Sequence, residues 1–147
     1  SLVTAGAVGT FGTKNVGNGI GVTASGFTLA GNGTGNYTLS QPTGLFANIT
    51  PAPLSISITG NPTRTYNGTT TANIGAGDVT ITGFQGGETG TVVQSAGATY
   101  ASKDAGTRLV TALLEPSDFS LGNGAQLSNY TFPTSITGNG TIAQAIL

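Results

Sequence analysis

The sequence contains neither cysteine nor histidine, and these two absences exclude whole classes of chemistry. Without cysteine, no disulfide holds the fold together and no thiolate binds a metal ion. Without histidine, a serine nucleophile lacks the base that usually activates it. Methionine is absent as well, and we therefore expect the 147 residues to be a segment of a longer product or a processed form.

Charged residues are also scarce. Four basic and five acidic residues give a net charge of −1, whereas about a quarter of the residues in an average domain are charged. Because phosphate binding needs clustered Lys and Arg, this composition predicts that nucleic acid is not a partner. No apolar run approaches the ~18 residues needed to span a bilayer, so we predict no membrane insertion.

The acidic residues give little basis for catalysis or for metal binding. Glu115 and Asp118 flank Pro116 and are the nearest approach to the carboxylate pair of a glycosidase. Two weaker alternatives are a surface calcium site at Asp104 or Asp118 and an isopeptide bond from Lys103 assisted by Glu115 or Asp118. We predict that the chain is not an enzyme, with no cofactor and no catalytic, cofactor-binding or metal-binding residue. The five acids are Asp78, Glu88, Asp104, Glu115 and Asp118.

The apolar residues recur with a period of two, which is typical of β-strands. Leu54, Ile56 and Ile58 fall on one face of such a stretch, and Val79 and Ile81 on one face of another. We predict an all-β chain of small tandem domains, each an antiparallel β-sandwich or a β-grasp-like sheet, with little or no helix. Five Asn-Gly dipeptides, which suit turns with positive φ, predict hairpin turns. They begin at Asn18, Asn32, Asn67, Asn123 and Asn139.

The most informative feature is an internal repeat. Tyr37 and Tyr130 lie in matching stretches 93 positions apart, and Lys14 and Lys103 lie in matching stretches 89 positions apart. The drift between these offsets requires only a few inserted residues, which loops tolerate. A period of this length is long enough for a small domain with its own core.

The repeat divides the chain into two units. We predict that residues 55–147 form one complete unit and that residues 1–54 form the C-terminal part of another, incomplete one. Residues 50–53, Thr-Pro-Ala-Pro, are predicted to be a stiff hinge because proline fixes φ and cannot donate to a sheet. If the first unit is incomplete, its sheets expose unpaired edges that another chain can cover.

The order of motifs in the second unit resembles the YDG repeat domain and the related MBG domains. The unit opens with Tyr66-Asn67-Gly68, continues through Lys103-Asp104-Ala105-Gly106 and closes with Ser128-Asn129-Tyr130 and a β-strand. Asn67 stands where the family has Asp. Because Asn suits a turn as well as Asp does, we expect the turn to form in the same way. The resemblance implies a mainly β rod within very large secreted adhesins of the filamentous haemagglutinin type in Gram-negative bacteria, located outside the cell or at its surface.

Two functions from different classes follow. The first is a non-catalytic stalk or spacer repeat of a bacterial surface adhesin, with neighbouring repeats as its partners. The second is a self-assembling subunit of an extracellular filament, a homopolymer formed when strand exchange completes the N-terminal unit. Glycan attachment at Asn-x-Ser/Thr sites is a further open alternative. These sites are Asn32, Asn36, Asn48, Asn67, Asn129 and Asn139.

Overall fold

The computed structural model describes residues 1–94 and 97–147. The chain divides into two compact units, Ser1–Thr50 and Pro51–Leu147. The sequence analysis placed residues 51–54 at the end of the first unit. In the structure they belong to the second unit. The Leu54 side chain is buried there, and its N–H donates to the carbonyl oxygen of Thr131 at 2.8 Å.

The predicted all-β class is confirmed. Among the described residues, helical structure is limited to four 3₁₀ turns of three residues each. None of the described residues forms a helix long and apolar enough to cross a bilayer. The 3₁₀ turns span Thr34–Asn36, Ala76–Asp78, Pro116–Asp118 and Leu127–Asn129.

The first unit contains two small antiparallel sheets. One joins β1 to β4, and the other has the order β2-β3-β5. Strand β3 carries a bulge between Gly17 and Ile20 where it pairs with β5. The strands are β1 (Leu2–Val3), β2 (Val8–Phe11), β3 (Gly17–Ser25), β4 (Thr28–Leu29) and β5 (Leu45–Ile49).

The second unit is built on a five-stranded sheet with the order β8-β16-β13-β12-β9, and three two-stranded sheets pair β7 with β10, β11 with β14, and β6 with β15. The strands are β6 (Ala52–Pro53), β7 (Ser55–Ile58), β8 (Thr63–Thr65), β9 (Thr71–Ala72), β10 (Val79–Thr82), β11 (Thr89–Val92), β12 (Ala98–Tyr100), β13 (Gly106–Leu113), β14 (Phe119–Gly122), β15 (Tyr130–Thr131) and β16 (Ser135–Ala143).

Two strand pairs are parallel, which the expectation of antiparallel sheets did not include. They join β8 to β16 and β6 to β15. Both pairs connect strands that are far apart in the sequence, so no tight hairpin dictates their direction. Turn residues in the sequence indicate pairing only between strands that follow one another. They therefore could not predict these two pairings.

The two units share one set of strand pairings. The pairs β1·β4, β2·β3 and β3·β5 of the first unit correspond to β11·β14, β12·β13 and β13·β16 of the second. Phe11 faces Val22 across the first hairpin, as Tyr100 faces Val110 across the second. The matching segments therefore share one strand order. Tyr37 differs from Tyr130: it has extended backbone but lies outside any strand, and its side chain is exposed whereas that of Tyr130 is buried.

The hydrophobic core lies in the second unit. Strand β7 crosses β16 so closely that a Cβ on Gly138 would collide with the carbonyl oxygen of Ile58. The predicted face of Leu54, Ile56 and Ile58 is buried. The other buried apolar side chains are Ala72, Ile74, Val92, Ala98, Tyr100, Val110, Ala112, Leu114, Tyr130, Ile136 and Ile142.

The turn prediction at Asn139-Gly140 is wrong, because both residues lie inside β16. A Cβ on Gly140 would lie 2.7 Å from Val110 Cγ2 and 2.8 Å from Tyr100 Cε1. Gly140 therefore allows close packing and does not supply a turn. The dipeptide at Asn18 lies inside β3, where Gly19 has a φ of 62° within the bulged stretch.

Candidate functional site

The apolar side chains of the first unit are only partly covered. Along β3, Ile20, Val22 and Ala24 alternate with exposed residues, yet each is only half-buried. Leu2 is 55 % exposed and Leu45 is 40 % exposed. No side chain among residues 1–50 is buried, so these sheets do not close a core of their own. The partly or fully exposed apolar side chains of this unit include Leu2, Val3, Ile20, Val22, Phe27 and Leu45.

Asp78 and Asp118 cap 3₁₀ turns. Asp78 Oδ2 accepts a hydrogen bond from the Gly75 N–H at 2.9 Å. Asp118 Oδ2 accepts one from the Glu115 N–H at 2.7 Å. Each turn leads directly into a strand, β10 or β14. Asp118 is only 2 % exposed. Of the suggested Glu115–Asp118 pair, the Asp118 carboxylate thus accepts a hydrogen bond from the backbone of its own turn. Side chains at the start of such a turn commonly satisfy N–H groups in this way.

Glu88 takes part in a hydrogen-bonded group around Tyr130. The Tyr130 hydroxyl donates to Glu88 Oε2 at 2.6 Å and accepts from the Gln85 N–H at 3.1 Å. The Phe84 ring lies edge-on to the Tyr130 ring, with 5.2 Å between centroids. These contacts attach the loop between β10 and β11 to β15, and they satisfy the polar end of a buried aromatic side chain.

Lys103 and Asp104 lie at the surface. The Lys103 Nζ is 3.7 Å from Asp104 Oδ1, and the two side chains are 54 % and 66 % exposed. The same Nζ lies 5.8 Å from the centroid of the Tyr66 ring. Since an isopeptide bond needs a buried lysine, this geometry does not suit the Lys103 alternative. Among the described residues, no three of the metal-binding residue types His, Cys, Asp and Glu lie close enough together to hold an ion.

The turn that follows β8 is held by a polar cluster. Asn67 Oδ1 accepts from the N–H and the hydroxyl of Thr69, at 3.1 and 2.9 Å. Gly68 has a φ of 77°, which glycine adopts without strain. The Arg64 guanidinium donates to the Thr69 hydroxyl at 2.8 Å and also to the Thr69 carbonyl oxygen. Tyr66-Asn67-Gly68 is therefore a turn fixed by side-chain bonds to its own backbone.

Arg64 also connects this turn to the core. Its guanidinium carbon lies 5.2 Å from the centroid of the Tyr100 ring, and the Tyr100 hydroxyl donates to the carbonyl oxygen of Pro62 at 2.8 Å. Burial raises the pKa of the Tyr100 hydroxyl, and the positive charge of Arg64 partly opposes that rise. Tyr100 thus remains a neutral hydrogen-bond donor near neutral pH, and its role here is structural.

The YDG domain matches residues 1–44 and 50–138 of the sequence. The chain belongs to the YDG domain family. The first matched stretch lies in the first unit, and the second lies in the second unit except for Thr50, so each unit carries YDG sequence. No curated protein and no solved structure matches the chain.

The Asn-x-Ser/Thr sites of this YDG chain lie largely at the surface. Asn32, Asn36, Asn48, Asn67 and Asn139 are exposed, and Asn129 is half-buried. Two of these side chains also act within the fold: Asn67 holds the turn after β8, and Asn48 Oδ1 accepts from the Gly19 N–H at 2.8 Å. Turn and bulge chemistry accounts for these two asparagines without a glycan.

Asp78, Glu88, Asp118 and the turn motif have structural roles within the YDG fold. Sequence reasoning missed the partners of Glu88 and Asp118. The partner of Glu88, Tyr130, lies on a distant segment. The partner of Asp118, the Glu115 N–H, lies in the same 3₁₀ turn, and such a turn has no periodic signal in the sequence. The apolar side chains of the first unit remain partly or fully exposed.

Proposed function

We propose that this chain is a non-catalytic structural repeat, a stalk or spacer module, of an extracellular bacterial surface adhesin. The observation that carries the proposal is the recurrence of one set of strand pairings in two consecutive units. Strand β5 ends at Ile49 and β6 begins at Ala52, so only Thr50 and Pro51 separate them. A connection this short, with a fixed φ at proline, limits bending between repeats.

The side chains that could do chemistry support the same proposal. Asp78 and Asp118 cap turns, and Glu88 bonds to Tyr130. The scarcity of charge leaves little electrostatic steering toward a charged ligand. The adhesin setting and the extracellular location rest on the resemblance to repeats of secreted adhesins.

The spacer function is tested by lengthening the array. Chains would carry one, two or three copies of residues 51–147 after the first unit, and the maximum dimension would be measured by small-angle X-ray scattering. We expect a constant increase of about 30 Å per added unit, the diameter of a folded domain of this size. An increase that shrinks with each copy would mean that the units collapse onto one another, and it would contradict the spacer function.

A second function, assembly into an extracellular filament, is favoured by one specific observation. None of the apolar side chains of the first unit is buried, and such a surface attracts a strand from another chain. Low net charge adds little repulsion between copies. In this function the repeat provides both length and the contact that joins one chain to the next.

A further inference from the structure

The turn after β8 holds the Asn67 side chain against the backbone that follows it. Asn67 Oδ1 accepts from the Thr69 N–H at 3.1 Å and from the Thr69 hydroxyl at 2.9 Å. The bond to the N–H closes a small ring of atoms that contains both the Asn67 side-chain amide carbon, Cγ, and the Gly68 nitrogen. Attack of that nitrogen on that carbon is the first step of asparagine deamidation, and holding two reacting groups together favours their reaction.

The Gly68 nitrogen is open to the reaction. Among the described residues, no group accepts a hydrogen bond from the Gly68 N–H. Residues 67–69 are exposed, and a Cβ on Gly68 would meet no atom within 4 Å. Hydroxide from the solvent therefore reaches this N–H to remove its proton, and no side chain at position 68 obstructs ring closure.

The Asn67 carbonyl group is polarised by a nearby positive charge. Negative charge develops on Oδ1 when nitrogen adds to Cγ, and the two Thr69 donors point at that oxygen, as donors in an oxyanion hole do. Arg64 Nη1 donates to the Thr69 hydroxyl at 2.8 Å, and the same hydroxyl donates to Oδ1. Hydrogen bonds in such a chain strengthen one another. The turn therefore stabilises the charge that forms during the attack.

We propose that Asn67 is a site of spontaneous deamidation and that the folded turn accelerates the reaction. The Gly68 nitrogen gives its proton to hydroxide and bonds to Asn67 Cγ. The Cγ–Nδ2 bond then breaks, and Nδ2 takes a proton from water and leaves as ammonia. Water opens the resulting succinimide: cleavage between Cγ and the Gly68 nitrogen gives aspartate at position 67, and cleavage at the main-chain carbonyl carbon gives isoaspartate.

The aspartate product provides a charge that Arg64 lacks. Arg64 Nε is buried without a hydrogen-bond partner, and none of the described carboxylates forms an ion pair with Arg64. A carboxylate at position 67 accepts the same two bonds from Thr69 and places a negative charge beside the hydroxyl that the guanidinium contacts. Charge-assisted hydrogen bonds are roughly twice as strong as neutral ones. Conversion to aspartate is therefore expected to stabilise the second unit.

Other Asn-Gly dipeptides of the same chain provide internal comparisons. The Gly19 N–H donates to Asn48 Oδ1 at 2.8 Å, so the nitrogen next to Asn18 is occupied. Asn139-Gly140 is fixed in the extended backbone of β16. Asn32 is exposed in a turn, and no described residue donates a hydrogen bond to its Oδ1. Asn32 thus reports the rate of an accessible Asn-Gly dipeptide without the two Thr69 donors.

The test is incubation of the 147-residue chain at mildly alkaline pH, with peptide mapping by mass spectrometry over time. We expect Asn67 to be converted about tenfold faster than Asn32, the effect of one hydrogen bond of ordinary strength. Asn18 and Asn139 should remain largely unconverted. In concentrated urea, where the turn is lost, the rates at Asn67 and Asn32 should converge. Slower conversion of Asn67 than of Asn32 in the folded chain would overturn the proposal.

Two variants of Thr69 separate activation from simple immobilisation of the side chain. Thr69→Val removes the hydroxyl donor and keeps the N–H donor, so it should slow the conversion of Asn67 several-fold and leave Asn32 unchanged. Thr69→Ser is the matched control, since it keeps the hydroxyl and should keep the original rate. If the bonds to Oδ1 only restrained the amide, Thr69→Val would speed the conversion, and this result would contradict the proposal.

Asn67→Asp reports on the product directly. It should raise the melting temperature of the second unit by a few degrees near neutral pH. Because the positive charge of Arg64 lowers the pKa of a carboxyl group beside it, this gain should be lost as the pH falls and the carboxylate is protonated. A lower melting temperature at neutral pH, or a gain that persists in acid, would contradict the charge pairing. The spacer function is tested separately by the length increment and does not depend on these results.

Discussion

Replacing Ile142 with alanine is expected to lower the free energy of unfolding of the second unit by about 3 kcal/mol, within the usual range for a core isoleucine. Ile142 is 1 % exposed. It lies in β16, opposite Gly106 of β13 and Arg64 of β8. Its truncation would leave a cavity between these strands, which neighbouring backbone cannot fill.

The same substitution at Ile49 provides an internal comparison. Ile49 pairs with Gly17 as Ile142 pairs with Gly106, but its side chain is only half-buried. Ile49→Ala is expected to cost less than about 1 kcal/mol, because little apolar area leaves water at that position. The unfolding of each unit would be followed through its own NMR signals in urea, since a chain of two units need not unfold in one step. Equal costs at the two positions would contradict the difference in burial between the units.

Replacing Gly138 with alanine is expected to destabilise the second unit by about 3 kcal/mol, the upper part of the range for inserting atoms into a packed core. The added Cβ would collide with the Ile58 carbonyl oxygen and lie 2.6 Å from Ile58 Cβ. Relief requires that β7 move away from β16, and such a movement loosens the packing of Ile56 and Ile58.

Gly77→Ala is the control for the Gly138 prediction. A Cβ at Gly77 meets no atom within 4 Å, and Gly77 is not among the glycines with positive φ. This substitution should change the urea midpoint of the second unit little, whereas Gly138→Ala should lower it clearly without changing the slope. If Gly138→Ala were also neutral, β7 would not cross β16 as closely as the structure shows.

Local pattern and internal repetition predicted much of the fold. The alternation of Leu54, Ile56 and Ile58 identified a strand with one buried face, and the matched offsets identified equivalent strands in the two units. The change in offset also has a structural origin. The 3₁₀ turn Pro116–Asp118 occurs between β13 and β14, and the corresponding connection in the first unit is only Gly26 and Phe27.

Long-range packing accounts for what the sequence did not predict. Asn139-Gly140 has the composition of a turn, but Gly140 is required by the close approach of Val110 and Tyr100. The parallel pairing of β6 with β15 joins segments that no local rule connects. The partner of Glu88 is a tyrosine 42 residues away. None of these contacts has a signature in a short window of sequence.

Amide hydrogen exchange at Gly12 and Ala101 tests most directly the central claim that both units share one set of pairings while only the second closes a core. The Gly12 N–H donates to the Gly21 carbonyl oxygen at 2.9 Å, and the Ala101 N–H donates to the Leu109 carbonyl oxygen at 2.8 Å, at equivalent places in the two units. We expect both amides to be protected, with Gly12 exchanging on the order of 100-fold faster because its unit opens more easily. Exchange of Gly12 at the rate of an unfolded chain would contradict the shared pairing, and exchange as slow as that of Ala101 would contradict the open core.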